Sequence, residues 1–409
     1  MRRIDLLASI AAAAACAACS SDNSVQPDAG VCGTPVSGGG VLEDFTPPCD
    51  PGPKGVLVTA SGEVLALGGY DFPPATSDDV YFVDGWEIRY DRVLATFDHV
   101  MLNENPGKSP TDQSQVGALV AQADGPWAVD LHKGGPLEGK GGSDEQAVAV
   151  VAIPNENKNG GAAFDPTMLY AYSFEMPAAT AQAHNVNLDA DDLAEYQMMI
   201  AAGNTALLQG TATWKGGSSC VTTDSGYDFT KLPPVVKFRL AFKAPTSYIN
   251  AQNPENDPAD PLPGEEHERG IKITASASTI AQTTFHLDHA FWESFVHDSP
   301  AHFDQFAAHY VGATEVPTAK LEDFVGAGFT PVTDANGTPV PWRWCYQAPQ
   351  PQPTGALTFD TLSVPVNPAG DPAASIRDFV DYTLYNHSTW GHLNSDGLSF
   401  VQRHYPSPP

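Results

Sequence analysis

From Gly55 onward, short apolar runs alternate with clusters of Gly, Pro, Asn and Asp, a pattern that predicts strands joined by turns. The strand candidates are Val56–Leu67, Trp86–Leu102, Trp127–Leu131, Ala147–Ile153, Met168–Met176, Ala206–Trp214 and Val235–Phe242. Within Val93–Met101 the odd positions form a largely apolar face while Thr96 and Asp98 point the other way, the period of two expected of a half-buried strand. The spacing of the strands predicts a mainly β fold, an antiparallel β-sandwich or sandwiches with a few short helices.

Helical patterns are few and concentrate toward the C-terminal third. Asp191–Ala202 places two acids before an apolar run, which favours a helix N-terminus. Ile271–Thr284 alternates as another strand. Ser299-Pro300 then predicts a helix running to about Tyr310, with a cap and a first-position proline. Asp371-Pro372 repeats that signature ahead of Ile376, Phe379, Val380, Thr383 and Leu384, which fall on one helical face. Four prolines and a run of acids make 250–270 either a long surface loop or a linker. The expected organisation is 1–18 signal peptide, 19–54 disordered tether, 55–249 β-sandwich domain, 250–270 loop or linker, and 271–409 a region of β plus helix.

Composition removes some function classes. With Lys plus Arg at 20 and Asp plus Glu at 49, the 409-residue chain has a formal net charge of −29, which repels rather than neutralises phosphate, so nucleic acid is an unsuitable partner. Hydrophobic residues at 42% exclude an acidic disordered chain. No nucleotide site is expected: Gly134-Gly-Pro-Leu-Glu-Gly-Lys140 begins like a phosphate-binding loop, but Gly141 stands where a hydroxyl would hold magnesium. There is no G-x-S-x-G elbow. Asn185–Tyr196 lacks the sixth-position glycine and twelfth-position glutamate of an EF-hand, which leaves only a looser calcium site open.

The N-terminus carries Arg2 and Arg3, then the apolar run Leu6–Ala18, too short to span a membrane and shaped like a secretory signal. Cys16-Ala17-Ala18-Cys19 resembles the lipobox of bacterial lipoproteins, with Cys16 in place of the usual leucine. That resemblance implies a lipid on Cys19, attachment to a membrane through it and, with Ser20 following, the outer membrane; Cys16 is the alternative lipid site and plain cleavage near the alanines another outcome. Four cysteines then remain, Cys32, Cys49, Cys220 and Cys345. In an oxidising compartment an even number favours disulfides in one of three pairings, of which Cys32–Cys49 with Cys220–Cys345 is preferred.

The one concentration of chemistry is a histidine cluster. Five of the 12 histidines, His286, His289, His297, His302 and His309, fall within 24 residues. Imidazoles suit transition metals, and Asp288, Glu293, Asp298 and Asp304 in the same stretch offer ligands or orienting acceptors. A helix over 285–297 would align His286, His289, Glu293 and His297 in one stripe, whereas a strand ending at Asp288 would put His286 and Asp288 on one face. His302 and His309, seven apart, would share a face of the next helix. The expected metal set is therefore His286, His289, Glu293, His297, His302 and His309, holding copper or zinc. The competing account is that these histidines form the wet side of amphipathic segments. His387 and His392 are a weaker candidate pair, with His387 read as a buried histidine on a helix face. Three functions follow in order: an exported, lipid-anchored cell-envelope protein binding a transition metal; a β-sandwich surface module binding glycan or an envelope protein through exposed tryptophans (Trp86, Trp127, Trp292, Trp342, Trp344, Trp390); and a metal-dependent hydrolase or oxidoreductase with Glu293 or Asp304 as base.

Overall fold

The computed structural model describes residues 35–48, 50–76, 79–155, 162–216, 227–293, 295, 297–328, 332–340, 376 and 378–405. Residues 1–34, where a signal segment is expected, and all six cysteines lie outside these residues, and with them the expectations for lipidation at Cys19 and for disulfides among Cys32, Cys49, Cys220 and Cys345. Trp342 and Trp344 lie outside them too.

The fold is mainly β, with two sheets facing one another and four short α-helices among the described residues. The smaller sheet runs β17 (Gly391–Leu393), β13 (Thr279–Phe285), β1 (Val56–Ser61), β6 (Gln146–Ile153) and β5 (Leu137–Glu138). The larger has the order β14 (Thr318–Ala319), β10 (Val235–Phe242), β9 (Ala206–Trp214), β2 (Trp86–Asn103), β7 (Leu169–Met176), β11 (Thr246–Ile249) and β18 (Phe400–Arg403). Attached to it are β3 (Leu119–Ala123), β4 (Trp127–Asp130), β8 (His184–Asn185) and β12 (Ile271–Lys272). A separate hairpin pairs β15 (Val332–Thr333) with β16 (Pro339–Val340). Most neighbours are antiparallel, but β1 runs parallel to β13, so the first strand after the N-terminal segment is held by one more than 200 residues later.

Alternating apolar positions explain the core. Trp86, Ile88, Val93, Ala95 and Phe97 of β2 are fully buried; Phe97 faces the small sheet, where Phe285 of β13 lies 6.4 Å from it and 6.2 Å from Phe174 of β7, and Trp86 packs on Phe303 at 5.1 Å. One polar bridge crosses the layers, Tyr172 Oη to Thr283 Oγ1 at 2.7 Å. Both faces of β2 are covered, because helix α2 (Ala190–Ala202) lies outside it with Tyr196 Oη 2.7 Å from Thr96 Oγ1. Asp189 and Asp192 start α2 with a reciprocal capping box, and Gly203 ends it at φ 72°, a backbone angle glycine adopts without strain. Trp86, Trp127, Trp292 and Trp390 are buried in this core rather than exposed, so they do not offer the stacking surface a glycan-binding module needs.

Several local expectations are corrected. Residues 35–48, read as tether, fold onto the body: Val36 pairs with Phe45, and Leu42 is buried beside Leu193. The segment 250–270 turns back rather than leading away, since β11 before it and β12 after it both pair with β7. Its Arg269 is buried, ion-paired with Glu265 and donating to the carbonyls of Pro106 and Ser109. The helix considered over 285–297 is absent: the chain stays in β13 to Phe285 and then makes only a 3-10 turn, His289–Phe291. The helix after Ser299-Pro300 shrinks to α3 (Asp304–Ala308), while α4 (Phe379–His387) occupies the predicted apolar face near the C-terminus. No helix of the described residues is long and apolar enough to cross a membrane.

Candidate metal centre

The end of β13 and the start of β17 build the site. Thr284 pairs with His392 and Phe285 with Gly391, and the pairing continues past the strand as His286 N donates to Trp390 O at 2.9 Å. The imidazoles of His286 and His392 therefore stand side by side on adjacent strands, stacked at 4.1 Å between centroids and 12° between planes. The 3-10 turn then brings His289 over the pair, its ring nearly perpendicular to both at 5.5 and 5.2 Å. One ligand nitrogen from each of His286, His289 and His392 lies within 4.8 Å of the other two. His297, in the loop that follows, completes a four-imidazole cluster, 5.9 Å from His289 and 5.7 Å from His392 by centroids.

The protonation of His289 can be read from its partner. Thr389 Oγ1 donates to Asn386 O at 2.7 Å, and having one proton, it must accept at 2.8 Å from His289 Nδ1–H. The proton on Nδ1 leaves the lone pair on Nε2, which is buried and makes no hydrogen bond. Neither ring nitrogen of His392 makes a hydrogen bond of normal geometry, although backbone groups of Asp396 and Thr389 lie close enough to favour its charge weakly. Burial, and after it the neighbouring imidazoles, hold His289 and His392 well below the usual histidine range, so both are neutral.

His286 differs. Burial opposes its charge, but Glu63, with Oε1 3.4 Å from His286 Nε2, outweighs burial together with Asp288 and Asp396, and His286 is held up at about 9. Glu63 opens α1 (Glu63–Gly68) at φ 59°, an unfavourable backbone angle for glutamate, and Ser61 Oγ accepts its backbone N–H at 2.9 Å. Asp396 comes from the turn after β17, where Asn394 and Ser395 are also left-handed and Ser395 N donates to Thr284 Oγ1 at 3.0 Å. Asp396 Oδ1 lies 3.9 Å from His286 Nε2, so Glu63, His286 and Asp396 form a second ligand-like group that shares His286 with the first.

Three members of the expected metal set are elsewhere. His302 is fully buried between carboxylates, 2.5 Å from Glu293 Oε2 through Nε2 and 3.7 Å from Asp84 Oδ2 through Nδ1. Without a continuous helix, Glu293 points to His302 rather than along the stripe of His286 and His289. His309 caps the short α3 as an exposed residue against Tyr310 and Phe324. His387 is the buried helix-face histidine expected, stacked 3.7 Å from Phe242. Around Asp189 and Asp192, the looser calcium site is filled by Lys133, which ion-pairs with both. Sequence density alone did not reveal Glu63, Thr389 or Asp396, and it ranked His392 below its role; the signal for His392 is its position one residue after Gly391 in a strand that must pair with β13. No protein-family model, curated protein or solved structure matches the chain.

Proposed function

We propose that this is an exported, lipid-anchored cell-envelope protein that binds a transition metal ion, copper or zinc, through His286, His289 and His392. The observation that carries the proposal is a group of three imidazoles, those of His289 and His392 fully buried, with one ligand nitrogen each in mutual reach, in which Nε2 of His289 has no hydrogen bond and the nitrogens of His392 have only poorly aligned backbone neighbours. Each buried polar atom left unsatisfied costs ~1–3 kcal/mol, and a bound cation offsets that cost where packing alone cannot. Zinc held at ~2.0 Å by imidazoles sets its ligand nitrogens ~3.3 Å apart, so from separations of at most 4.8 Å the rings must close by up to about 1.5 Å on binding. His286 is the member held in the charged form, so it is the one that must give up a proton to become a ligand.

Elemental analysis and titration calorimetry on the full chain, purified without chelator or polyhistidine tag, test this. About one equivalent of zinc or copper is expected, with affinity lost in His289→Ala and His392→Ala beyond the roughly 10–100-fold that outer partners carry, and unchanged in His309→Ala and His184→Ala. Because His289 and His392 are neutral and His286 titrates at about 9, one proton leaves per ion bound. Log affinity should therefore rise by about one per pH unit from roughly 6.5 to 9 and flatten above. A flat profile, or a slope near three, contradicts this ligand set.

A further inference from the structure

The two ligand-like groups differ in depth and chemistry, and they meet at His286. Asp396 is 63% exposed at its side chain, Glu63 20% and His286 13%, while His289 and His392 are 1% and 0% exposed. An ion arriving from solvent meets the carboxylates first and the neutral imidazoles last. The outer group offers two oxygens and one nitrogen, the ligands a hydrated divalent cation accepts readily; the inner group offers three nitrogens, which favour zinc, cobalt or copper over magnesium and calcium. Glu63 and Asp396 oxygens lie 3.4 and 3.9 Å from His286 Nε2, a long ion pair in which a divalent cation can take the place of the Nε2 proton. Behind His286, stacked at 4.1 Å, stands the fully buried and neutral imidazole of His392.

We propose that Glu63, His286 and Asp396 form an outer capture position for a divalent transition cation, and that the ion passes inward from it with His286 as a ligand in both positions. At capture His286 gives its Nε2 proton to solvent and its lone pair to the ion; in the transfer the ion exchanges two carboxylate oxygens for one nitrogen each of His289 and His392 while His286 stays a ligand, and no electrons move. The fixed backbone around both carboxylates suits this role. Ser395 Oγ donates to Glu63 Oε1 at 3.2 Å, and the Leu393–Gly397 turn is closed by two backbone hydrogen bonds, so the two acids are held at one mouth. A captured ion therefore needs only side-chain movement to go deeper.

This rests on the metal-binding reading, and the test separates the two. Stopped-flow mixing of the full chain with Co(II) or Zn(II) alone gives loading and release rates beside the equilibrium affinity. Asp396→Asn should slow loading about tenfold and slow release in proportion, leaving Kd within about threefold, because a barrier raised on a shared route acts in both directions. Asp298→Asn, which removes a more exposed charge beside His297, should change neither rate more than about twofold, since one charge among many contributes little to the overall field. In His392→Ala, checked for native melting, Co(II) should still bind weakly with the pale spectrum of an oxygen-rich six-coordinate ion, and the additional Asp396→Asn change should abolish that residual binding. Equal loading rates in wild type and Asp396→Asn, equal slowing in Asp298→Asn, or no residual binding in a folded His392→Ala chain would overturn the capture position while the inner site stands. Failure of the wild-type chain to take up any ion would overturn the inner site itself.

Discussion

One hydroxyl decides which nitrogen of His289 is free. Thr389 Oγ1 cannot both donate to Asn386 O and donate to His289, so it fixes the tautomer that exposes Nε2 to the cluster. Thr389→Val keeps the shape but removes the acceptor; it should weaken metal affinity by roughly 10–100-fold and, by leaving the buried His289 Nδ1–H unpaired, cost about 1–3 kcal/mol of stability, while Thr389→Ser should restore both. Equal affinity in the valine variant would remove the argument for the tautomer. His302 shows the opposite use of the same side chain. Burial opposes its charge, but hydrogen bonds and charges from Asp84 and Glu293 outweigh burial and raise it to about 9. A histidine raised from ~6.5 to about 9 stabilises the fold fully below ~6.5 and loses that contribution as pH rises through 9, on the order of 3 kcal/mol in all. Chemical denaturation at pH 6.5 and 9.5 should show that loss, and His302→Gln should be less stable at pH 6.5 and show a smaller pH dependence, the part due to His286 remaining. Metal affinity in that variant should not change, since His302 is not among the grouped imidazoles.

At the scale of elements, the site depends on a three-residue strand at a sheet edge. β17 can approach β13 only because residue 391 has no side chain: a Cβ there would sit 2.8 Å from Phe174 Cζ and from Tyr248 Cε1, two rings stacked on each other at 4.6 Å in the core. Gly391→Ala should therefore cost about 1–3 kcal/mol by overpacking. Because the displaced strand carries His392, the same variant should also lose metal affinity, which calorimetry on the folded fraction would measure; a destabilised variant with wild-type affinity would show that His392 is not placed by β17. Apolar runs between turns made β2, β4, β6, β7, β9 and β10 readable, although the run at Val56–Leu67 breaks at Gly62 into β1 and the helix α1, and the shorter β3, β5 and β8 gave no such signal; the acids before Leu193 made α2 readable, because burial and capping are local in sequence. The histidine window was readable as a concentration but not as a site. Whether His286, Glu293 and His297 line up depends on whether the chain leaves β13 as helix or turn, and a run of aromatics and histidines supports either. His392 comes to His286 through a pairing across more than a hundred residues, which periodicity does not encode.

Across the whole molecule, a net charge of −29 makes any divalent cation favourable near the surface, so stabilisation by metal must be separated from general screening of self-repulsion. The proposed centre joins the turn after β13, with His286 and His289, to His392 of β17, and its outer carboxylates come from Glu63 at the start of α1 and Asp396 after β17, segments far apart in sequence. An ion bound there holds them only in the folded state, and at one hundred times Kd it should add about 2.7 kcal/mol of stability. With an unfolding entropy of ~2.1 cal/mol/K per residue, a body of this size should then melt about 4 °C higher. In ~0.15 M NaCl, where charges more than ~8 Å apart are largely screened, zinc should produce that shift while the same concentration of calcium produces little. His392→Ala should lose the zinc shift and Asp298→Asn should keep it. If calcium raised the melting temperature as much as zinc, or if His392→Ala responded like wild type, the stabilisation would come from the acidic surface as a whole and the buried imidazoles would have no part in it.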